Sequence, residues 1–332
     1  MSTTLPGILV IGCGSIGERH VRAFLASGRA GVIACDNRPA ILQQMRERYG
    51  VKTVSDWVPE LANATIDGAV IATPAPSHVA IATRWLDARR HVLIEKPLSL
   101  DLVGIKPLVE ARDRAGCFAG VAYVLHFVPA LEAARKFLQE GTFGAVQHAA
   151  VNTGQHFPFF RPAYREIYYR DRAQGGGAIQ DALTHMANAV EWVLGPTSRV
   201  FCDAGHQVLE GVTVEDTVNA IARNGTTLVS YALNQFQALN ETRLEFHAET
   251  GSVRIEVHAH RWGTLARGEA EWTWRTAPVG DRDQIYLAQA HAFLDGCIGK
   301  PNSLCTLEEG IQTLRFNLAA LQSWSENRPV AL

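Results

Sequence analysis

The sequence predicts an α/β protein in two parts. An N-terminal doubly wound parallel sheet comes first, followed by an α+β domain with a large open, mostly antiparallel sheet. Three observations lead there. The chain has 332 residues, too many for one ordinary core, so two domains are expected. Up to about Val124, short apolar runs alternate with helix-like stretches, the pattern of parallel strands joined by crossover helices. From about Ala145, strand-like runs follow one another directly, and several alternate apolar and polar residues, as in Thr217-Val218-Asn219-Ala220-Ile221. That alternation is how an antiparallel sheet with one covered face reads. The expected division is 1–124 and 125–332, with the C-terminal helices packing back on the first domain.

Composition narrows the class of partner. Lys+Arg 31 balance Asp+Glu 33, which gives no electrostatic ground for binding nucleic acid or an acidic membrane. No stretch of about twenty uncharged apolar residues occurs, so no membrane-spanning helix is expected. The lead-in from Met1 to Gly7 has neither a basic region nor a long apolar segment, so no secretory signal is expected. Cys13, Cys35, Cys117, Cys202, Cys297 and Cys305 contain no Cys-x-x-Cys pair. Several lie in apolar strand-like runs, so reduced thiols in a cytoplasmic protein are expected.

The first strand, Ile8 to Ile11, runs straight into Gly12-Cys13-Gly14-Ser15-Ile16-Gly17 and then into a helix. In G-x-G-x-x-G the first glycine permits the tight turn, the second lets a pyrophosphate approach the backbone, and the third lets helix and strand pack closely. The helix N-terminus offers free N–H groups to phosphate. The motif alone is weak. Here a second strand, Gly31 to Cys35, ends at Asp36, about twenty residues past the last glycine, where an acid binds the adenosine ribose. A carboxylate there accepts from both ribose hydroxyls of NAD and repels the phosphate of NADP. Asn37 and Arg38 complete this corner. Arg38 can stack on adenine or pair with a 2′-phosphate, so NAD is the first choice of cofactor and NADP the second.

The alternation continues with helix Ile41 to Tyr49, strand Lys52 to Val54 and strand Gly68 to Ala72. The turn Thr73-Pro74-Ala75-Pro76-Ser77-His78 follows, its prolines forbidding helix until Ser77, the expected N-cap. The next helix reaches about Arg90. A buried strand, His91 to Ile94, then ends in Glu95-Lys96-Pro97. In open α/β sheets ligands bind beyond the C-terminal ends of the strands, and a lysine there can carry a proton. The bland reading is a solvated lysine beside a turn proline. Helix Leu102 to Ala115 and strand Cys117 to Val124 close the first domain.

In the second domain strands are expected at Val146 to Thr153, Arg199 to Ala204, Thr217 to Ala222, Thr227 to Asn234, Arg243 to Ala248, Ser252 to Val257 and Glu269 to Arg275. Helices are expected at Gln284 to Ile298 and Leu307 to Glu326. The uncovered face of the sheet is left for a partner subunit. Gly175-Gly176-Gly177 precedes a helix-like run to Leu194 that carries Asp181 and His185. Four residues apart, the two share a helix face, and a carboxylate orienting an imidazole makes a proton-transfer unit. The alternative is a surface Asp–His pair. The glycines are expected to let the backbone approach a ligand.

Taken together, the glycine motif, Thr73-Pro74, His78, Glu95-Lys96-Pro97 and the glycine run with Asp181 and His185 resemble the glucose–fructose oxidoreductase/inositol dehydrogenase/MocA (Gfo/Idh/MocA) family over nearly the whole chain. The resemblance implies a Rossmann domain, a second domain with an open sheet, and homodimers or homotetramers formed through that sheet. It implies hydride transfer between a nicotinamide and the hydroxyl carbon of a sugar, cyclitol or sugar acid. Lys96 matches the lysine that reaches nicotinamide ribose and substrate, and Asp181 and His185 match the acid and histidine of the catalytic helix. Gly12 to Gly17 and Asp36 match the cofactor cradle, while Thr73, Pro74, His78 and the Glu95 backbone match its nicotinamide end. Two positions depart: many members carry arginine at His126 and aspartate at Asn188.

On this reading His185, oriented by Asp181, takes the hydroxyl proton while Lys96 hydrogen-bonds the same oxygen. The order in which the two act stays open. Two other functions stay open as well. One is redox-neutral elimination or glycoside cleavage that uses NAD transiently. The other is a non-catalytic dinucleotide sensor, which would not need Lys96, Asp181 and His185 together.

The segment from Gly154 to Arg170 is rich in aromatics and arginine. Aromatic walls stack on the C–H face of a sugar, and guanidinium forks bind carboxylate or phosphate. Arg161, Tyr164, Arg165 and Tyr168, with Tyr123 and His126, are candidate contacts to a polyhydroxylated, anionic substrate. The competing reading is an oligomer-contact loop. Glu256, His258 and His260 alternate along an expected strand with spacing that a metal can use, but strand-face histidines usually pack or hydrogen-bond, so no metal is expected.

Overall fold

A computed structural model describes residues 5–278 and 283–332. Residues 1–4, part of the lead-in on which a secretory signal was judged, lie outside the described residues. By contacts the chain forms two compact units, Met1–Phe127 with Gly280–Gly310 and Val128–Val279 with Ile311–Leu332.

The first unit alternates as expected: β1 (Gly7–Ile11), α1 (Ser15–Ala26), β2 (Gly31–Cys35), α2 (Pro39–Tyr49), β3 (Lys52–Val54), β4 (Ile66–Ile71), α3 (His78–Asp87), β5 (His91–Ile94), α4 (Ile105–Ala115) and β6 (Ala119–Val121). The strands pair in parallel in the order β6-β5-β4-β1-β2-β3. Every residue of β1 is buried, because helices cover both faces of such a sheet. β6 is shorter than the sequence suggests, since Val124–Phe127 wind into a 3-10 turn.

In the second unit come α5 (Pro129–Gln139), β7 (Val146–Gly154), the one-turn α6 (Phe157–Phe160), α7 (Thr184–Leu194), β8 (Thr197–Gly205), β9 (Thr217–Asn224), β10 (Thr227–Asn234), β11 (Glu241–Ala248), β12 (Gly251–Glu256), β13 (Arg261–Ala266) and β14 (Thr273–Thr276). Three further α and β elements follow, α8 (Asp283–Cys297), β15 (Cys305–Thr306) and α9 (Leu307–Glu326), before the short β16 (Val330–Ala331). β15 adds an antiparallel edge to β6 in the first sheet.

The second sheet has nine strands in the order β14-β13-β12-β11-β7-β10-β9-β8-β16. Among the described residues only β7 and β10 pair in parallel. Burial alternates along β9 and β10. The inward side chains of this unit meet its helices, as where Tyr231 packs edge-on against Phe316 of α9. The other face exposes Ile221 and Leu228. Three expectations change. The strand expected from Glu269 begins only at Thr273. β13 is an additional strand, and Gly263 in it makes room for the Trp274 ring, which a Cβ would meet at 2.9 Å. Residues beyond Glu256 leave the strand through a 3-10 turn, Val257–Ala259, and His260 adopts φ 48°. The alternating Glu256, His258 and His260 face therefore does not form. His258 lies against Thr242, and Glu256 accepts from Arg261.

Candidate active site

The first unit builds a dinucleotide cradle. A Cβ on Gly17 would lie 1.8 Å from the Gly12 carbonyl oxygen, so only glycine lets α1 start this close to β1. At Gly14 a Cβ would meet only the Arg38 guanidinium, at 3.8 Å. That bare backbone is open to a ligand at the N-cap of α1, where no side chain caps the helix and the first amides lack intrahelical partners. Ser15 is exposed, Ile16 half-buried and Cys13 buried. Burial, with Asp36 nearby, pushes the Cys13 thiol up to about 12, so Cys13 acts as a small hydrophobe whose amide is the useful group. That amide donates to Asp36 Oδ2 at 2.9 Å.

Asp36 is 5% exposed at the end of β2. Burial opposes its charge, but hydrogen bonds from Arg38 and the Cys13 amide outweigh burial and hold the carboxyl below its usual range. Arg38 donates to it through Nε and Nη2, both at 2.8 Å. Asn37 and Arg38 are exposed beside it. A bare glycine backbone, uncapped amides and an ionised carboxylate one strand away fit a dinucleotide.

Beyond the ends of β4 and β5 lie two turns that one histidine joins. His78 Nε2 lies 2.7 Å from the Thr73 carbonyl oxygen and Nδ1 lies 3.0 Å from that of Pro97. Thr73 is half-buried and Pro74 exposed. Ser77 occupies the N-cap position, but its hydroxyl donates back to the Pro74 carbonyl instead of capping α3. Glu95 points inward: Oε1 lies 2.7 Å from His20 Nε2, and Oε2 accepts from the Lys96 amide at 3.1 Å. Lys96 is half-buried and its bond to Pro97 is cis. Tyr123 and His126 are both 1% exposed, and His126 Nδ1 sits 3.0 Å from the Ser303 carbonyl oxygen.

The second unit presents Asp181 and His185. The run that precedes α7 is not plain α-helix: Ile179–Leu183 form a π turn, a feature frequent at functional sites. Asp181 is 2% exposed and His185 half-buried. Arg161 Nη1 donates to Asp181 Oδ2 at 2.9 Å, and the Tyr168 hydroxyl donates to Oδ1 at 2.5 Å. The structure therefore brings Arg161, Tyr168 and Asp181 together. Tyr164 has another place. It is 1% exposed in a satellite core with Phe157, Tyr169, Leu209, Val212 and Val214, and its hydroxyl donates to the Glu210 carbonyl. It offers no ring to a substrate. Arg165 Nε shares that carbonyl and the Tyr164 oxygen.

The glycine run also differs from expectation. A Cβ on Gly176 would meet the carbonyl oxygens of Tyr169 at 2.2 Å and Tyr168 at 2.6 Å, and one on Gly177 would meet the Glu215 carboxylate at 2.4 Å. These glycines admit the protein's own backbone and an acid, not a ligand. Glu215, 1% exposed, is a residue that sequence reasoning missed. Its carboxylate accepts from the Ile179 amide at 3.1 Å and from Arg172 at 2.7 Å, and its carbonyl accepts from Ala178 and Tyr169. Asn188, the departure on α7, donates to Thr313, which donates in turn to Glu191. Burial raises the Glu191 carboxyl above its usual value despite these donors.

Residues 7–123 match the family model described as an oxidoreductase family with an NAD-binding Rossmann fold, and residues 131–254 match that of the GFO/IDH/MocA C-terminal domain. The chain belongs to the Gfo/Idh/MocA family and is an NAD(P)-dependent oxidoreductase. Myo-inositol dehydrogenase Hyg17 of Streptomyces leeuwenhoekii is 27% identical over 98% of this chain and 99% of its own length. D-apiose dehydrogenase of Paraburkholderia graminis is 25% identical over 97% of this chain and 88% of its own. A levoglucosan dehydrogenase solved with NADH and levoglucosan has the same fold, with TM-score 0.89, 20% identity and 99% coverage of both chains.

Proposed function

We propose that this enzyme transfers a hydride between NAD and the hydroxyl-bearing carbon of a cyclitol or sugar. The observation that carries the reading is the half-buried Lys96 beyond the strand ends of a dinucleotide-binding sheet, in a chain whose second unit holds Asp181 and His185 on a π-interrupted helix. NAD, when bound, supplies the hydride acceptor. Lys96 hydrogen-bonds the substrate oxygen and stabilises its developing negative charge. His185 accepts the hydroxyl proton, with Asp181 as its orienting acid. The first unit, which includes α8 and β15 as well as the N-terminal sheet, serves the cofactor, and the second unit the substrate and the subunit contact.

Asp36 favours NAD over NADP, because its carboxylate would face a 2′-phosphate. The inositol, apiose and levoglucosan dehydrogenases among the relatives point to a polyol. A neutral one suits this chain, since Arg161, Arg165 and Arg172 already face a carboxylate or carbonyl of the protein. The open face of the second sheet is the contact of a homodimer or homotetramer, and the buried thiols of Cys13, Cys35 and Cys202 suit the reducing cytoplasm.

The test is net NADH formation from NAD with myo-inositol, levoglucosan and D-apiose as probes. NADH accumulating with at least one of them is expected. Conversion without net NADH would favour redox-neutral elimination, and failure to bind NADH at all would overturn the reading.

A further inference from the structure

Three things converge on Asp181. Both of its oxygens accept hydrogen bonds from one segment, Arg161 on Oδ2 and Tyr168 on Oδ1. That segment is fixed from below. Phe157 is buried in the satellite core, and the Arg161 guanidinium lies over its ring at 5.1 Å. Tyr169, 0% exposed, is anchored through its hydroxyl to Gln235 and the Glu215 carbonyl. Finally, the glycine run docks the segment's backbone. The Gly177 amide donates to the Tyr169 carbonyl at 3.1 Å and the Gly176 amide to that of Asp171 at 2.9 Å. The missing Cβ of Gly176 is what lets the Tyr168 and Tyr169 carbonyls come so close.

We propose that Arg161 and Tyr168 are positioning residues that hold the Asp181 carboxylate in its working orientation, and that Gly176 sets their placement. The inference rests on the reading of Asp181 as the orienting acid of the catalytic helix. The physical ground is complementarity. A carboxylate is acceptor-only, with two oxygens, and each oxygen here has a donor. One of the donors is a guanidinium, whose bond to a carboxylate is charge-assisted and directional. A carboxylate gripped at both oxygens cannot rotate away from the imidazole it serves. The arginine that a sequence reader assigns to an anionic substrate is engaged inside the protein, with an anion already supplied by Asp181.

The test uses the full-length enzyme and the probe from the panel above that it oxidises fastest. Tyr168→Phe removes one oxygen and Arg161→Ala the guanidinium. For each, kcat is expected to fall by about ten- to a hundredfold, with KM for NAD unchanged and KM for the polyol within about threefold. Arg161→Lys keeps a cationic donor but loses the planar fork over Phe157, and is expected to recover part of the lost kcat. Gly176→Ala is expected to resemble Arg161→Ala, since a Cβ displaces the Tyr168–Tyr169 backbone. In an Asp181→Asn background, Arg161→Ala is expected to cost less than about twofold more, because residues acting as one unit are non-additive. A circular dichroism spectrum and a chemical unfolding transition like those of the wild type confirm that each variant folds.

A raised polyol KM with kcat intact would make Arg161 a substrate contact and overturn the proposal. So would losses in Arg161→Ala that add in full to those of Asp181→Asn. If Asp181→Asn is impaired while Arg161→Ala and Tyr168→Phe are not, the positioning role alone fails. If Asp181→Asn turns over like the wild type, or the panel yields no substrate, the underlying reading of the site fails and the inference falls with it.

Discussion

His78 shows how much one side chain can organise. Its ring spans two backbone turns, the one after β4 and the one that carries Lys96. Burial pushes its pKa below the usual 6.5, against the pull of both carbonyls. His91 and His247 are shifted the same way, again chiefly by burial. The unfolded chain therefore takes up protons that the folded one refuses. The stability carried by the neutral rings of His91, whose Nδ1 accepts the Phe118 amide, and of His247 is present above about pH 6.5 and is lost as pH falls through their depressed folded values. The denaturant midpoint is expected to drop between about pH 7.5 and 5.5. A midpoint that holds or rises over that range would contradict the assignment. At this scale the legible placements were Gly12 to Gly17 between β1 and α1, Asp36 at the end of β2, and Lys96 beyond β5. Glu215 was not legible. It sits in ordinary strand-entry sequence, and its partners Tyr169, Arg172 and Ile179 are distant along the chain. Tyr164 was misjudged because an aromatic inside a polar segment looks like a surface wall until its core neighbours are known.

At the scale of elements, α8 illustrates what packing adds. It belongs to the first unit, although most of the second unit precedes it in sequence. Phe293, 0% exposed, meets Phe24 of α1 edge-on at 5.9 Å and Phe118 at 6.1 Å. Gly296 passes the same Phe118 ring, which a Cβ would meet at 2.7 Å. Phe293→Ala is expected to cost about 3–5 kcal/mol, the range for a large side chain removed from a tight core. Chemical unfolding measures it, and a loss under about 1 kcal/mol would show that α8 is not integral to this core. Most element types were legible, because parallel-sheet strands read as apolar runs and half-covered strands as alternation. β13 was not, since Gly263 and flanking polar residues interrupt its pattern, and the glycine is there for Trp274. The π turn at Ile179–Leu183, inside a helix-like run, was not expected.

For the whole molecule, the uncovered face of the second sheet makes the clearest demand. Ile221 is 58% and Leu228 47% exposed there, beside half-buried Phe201. A Leu228→Glu, Ile221→Glu double variant places charges on the proposed subunit contact and is expected to shift the protein toward monomer in light scattering. A wild type that is itself monomeric at micromolar concentration would remove the proposed interface. The doubly wound sheet and the second open sheet were readable from spacing and alternation, and the family from the resemblance that the motif residues carry. The chemistry of the substrate was not, because the arginines that suggested an anion face groups of the protein itself. The central claim, hydride transfer assisted by Lys96, is tested most directly with a probe polyol deuterated at the reacting carbon. Wild-type enzyme is expected to move that deuterium onto NAD. Lys96→Met, at saturating NAD, is expected to transfer deuterium at least about a hundredfold more slowly. Transfer by Lys96→Met at the wild-type rate would contradict the account.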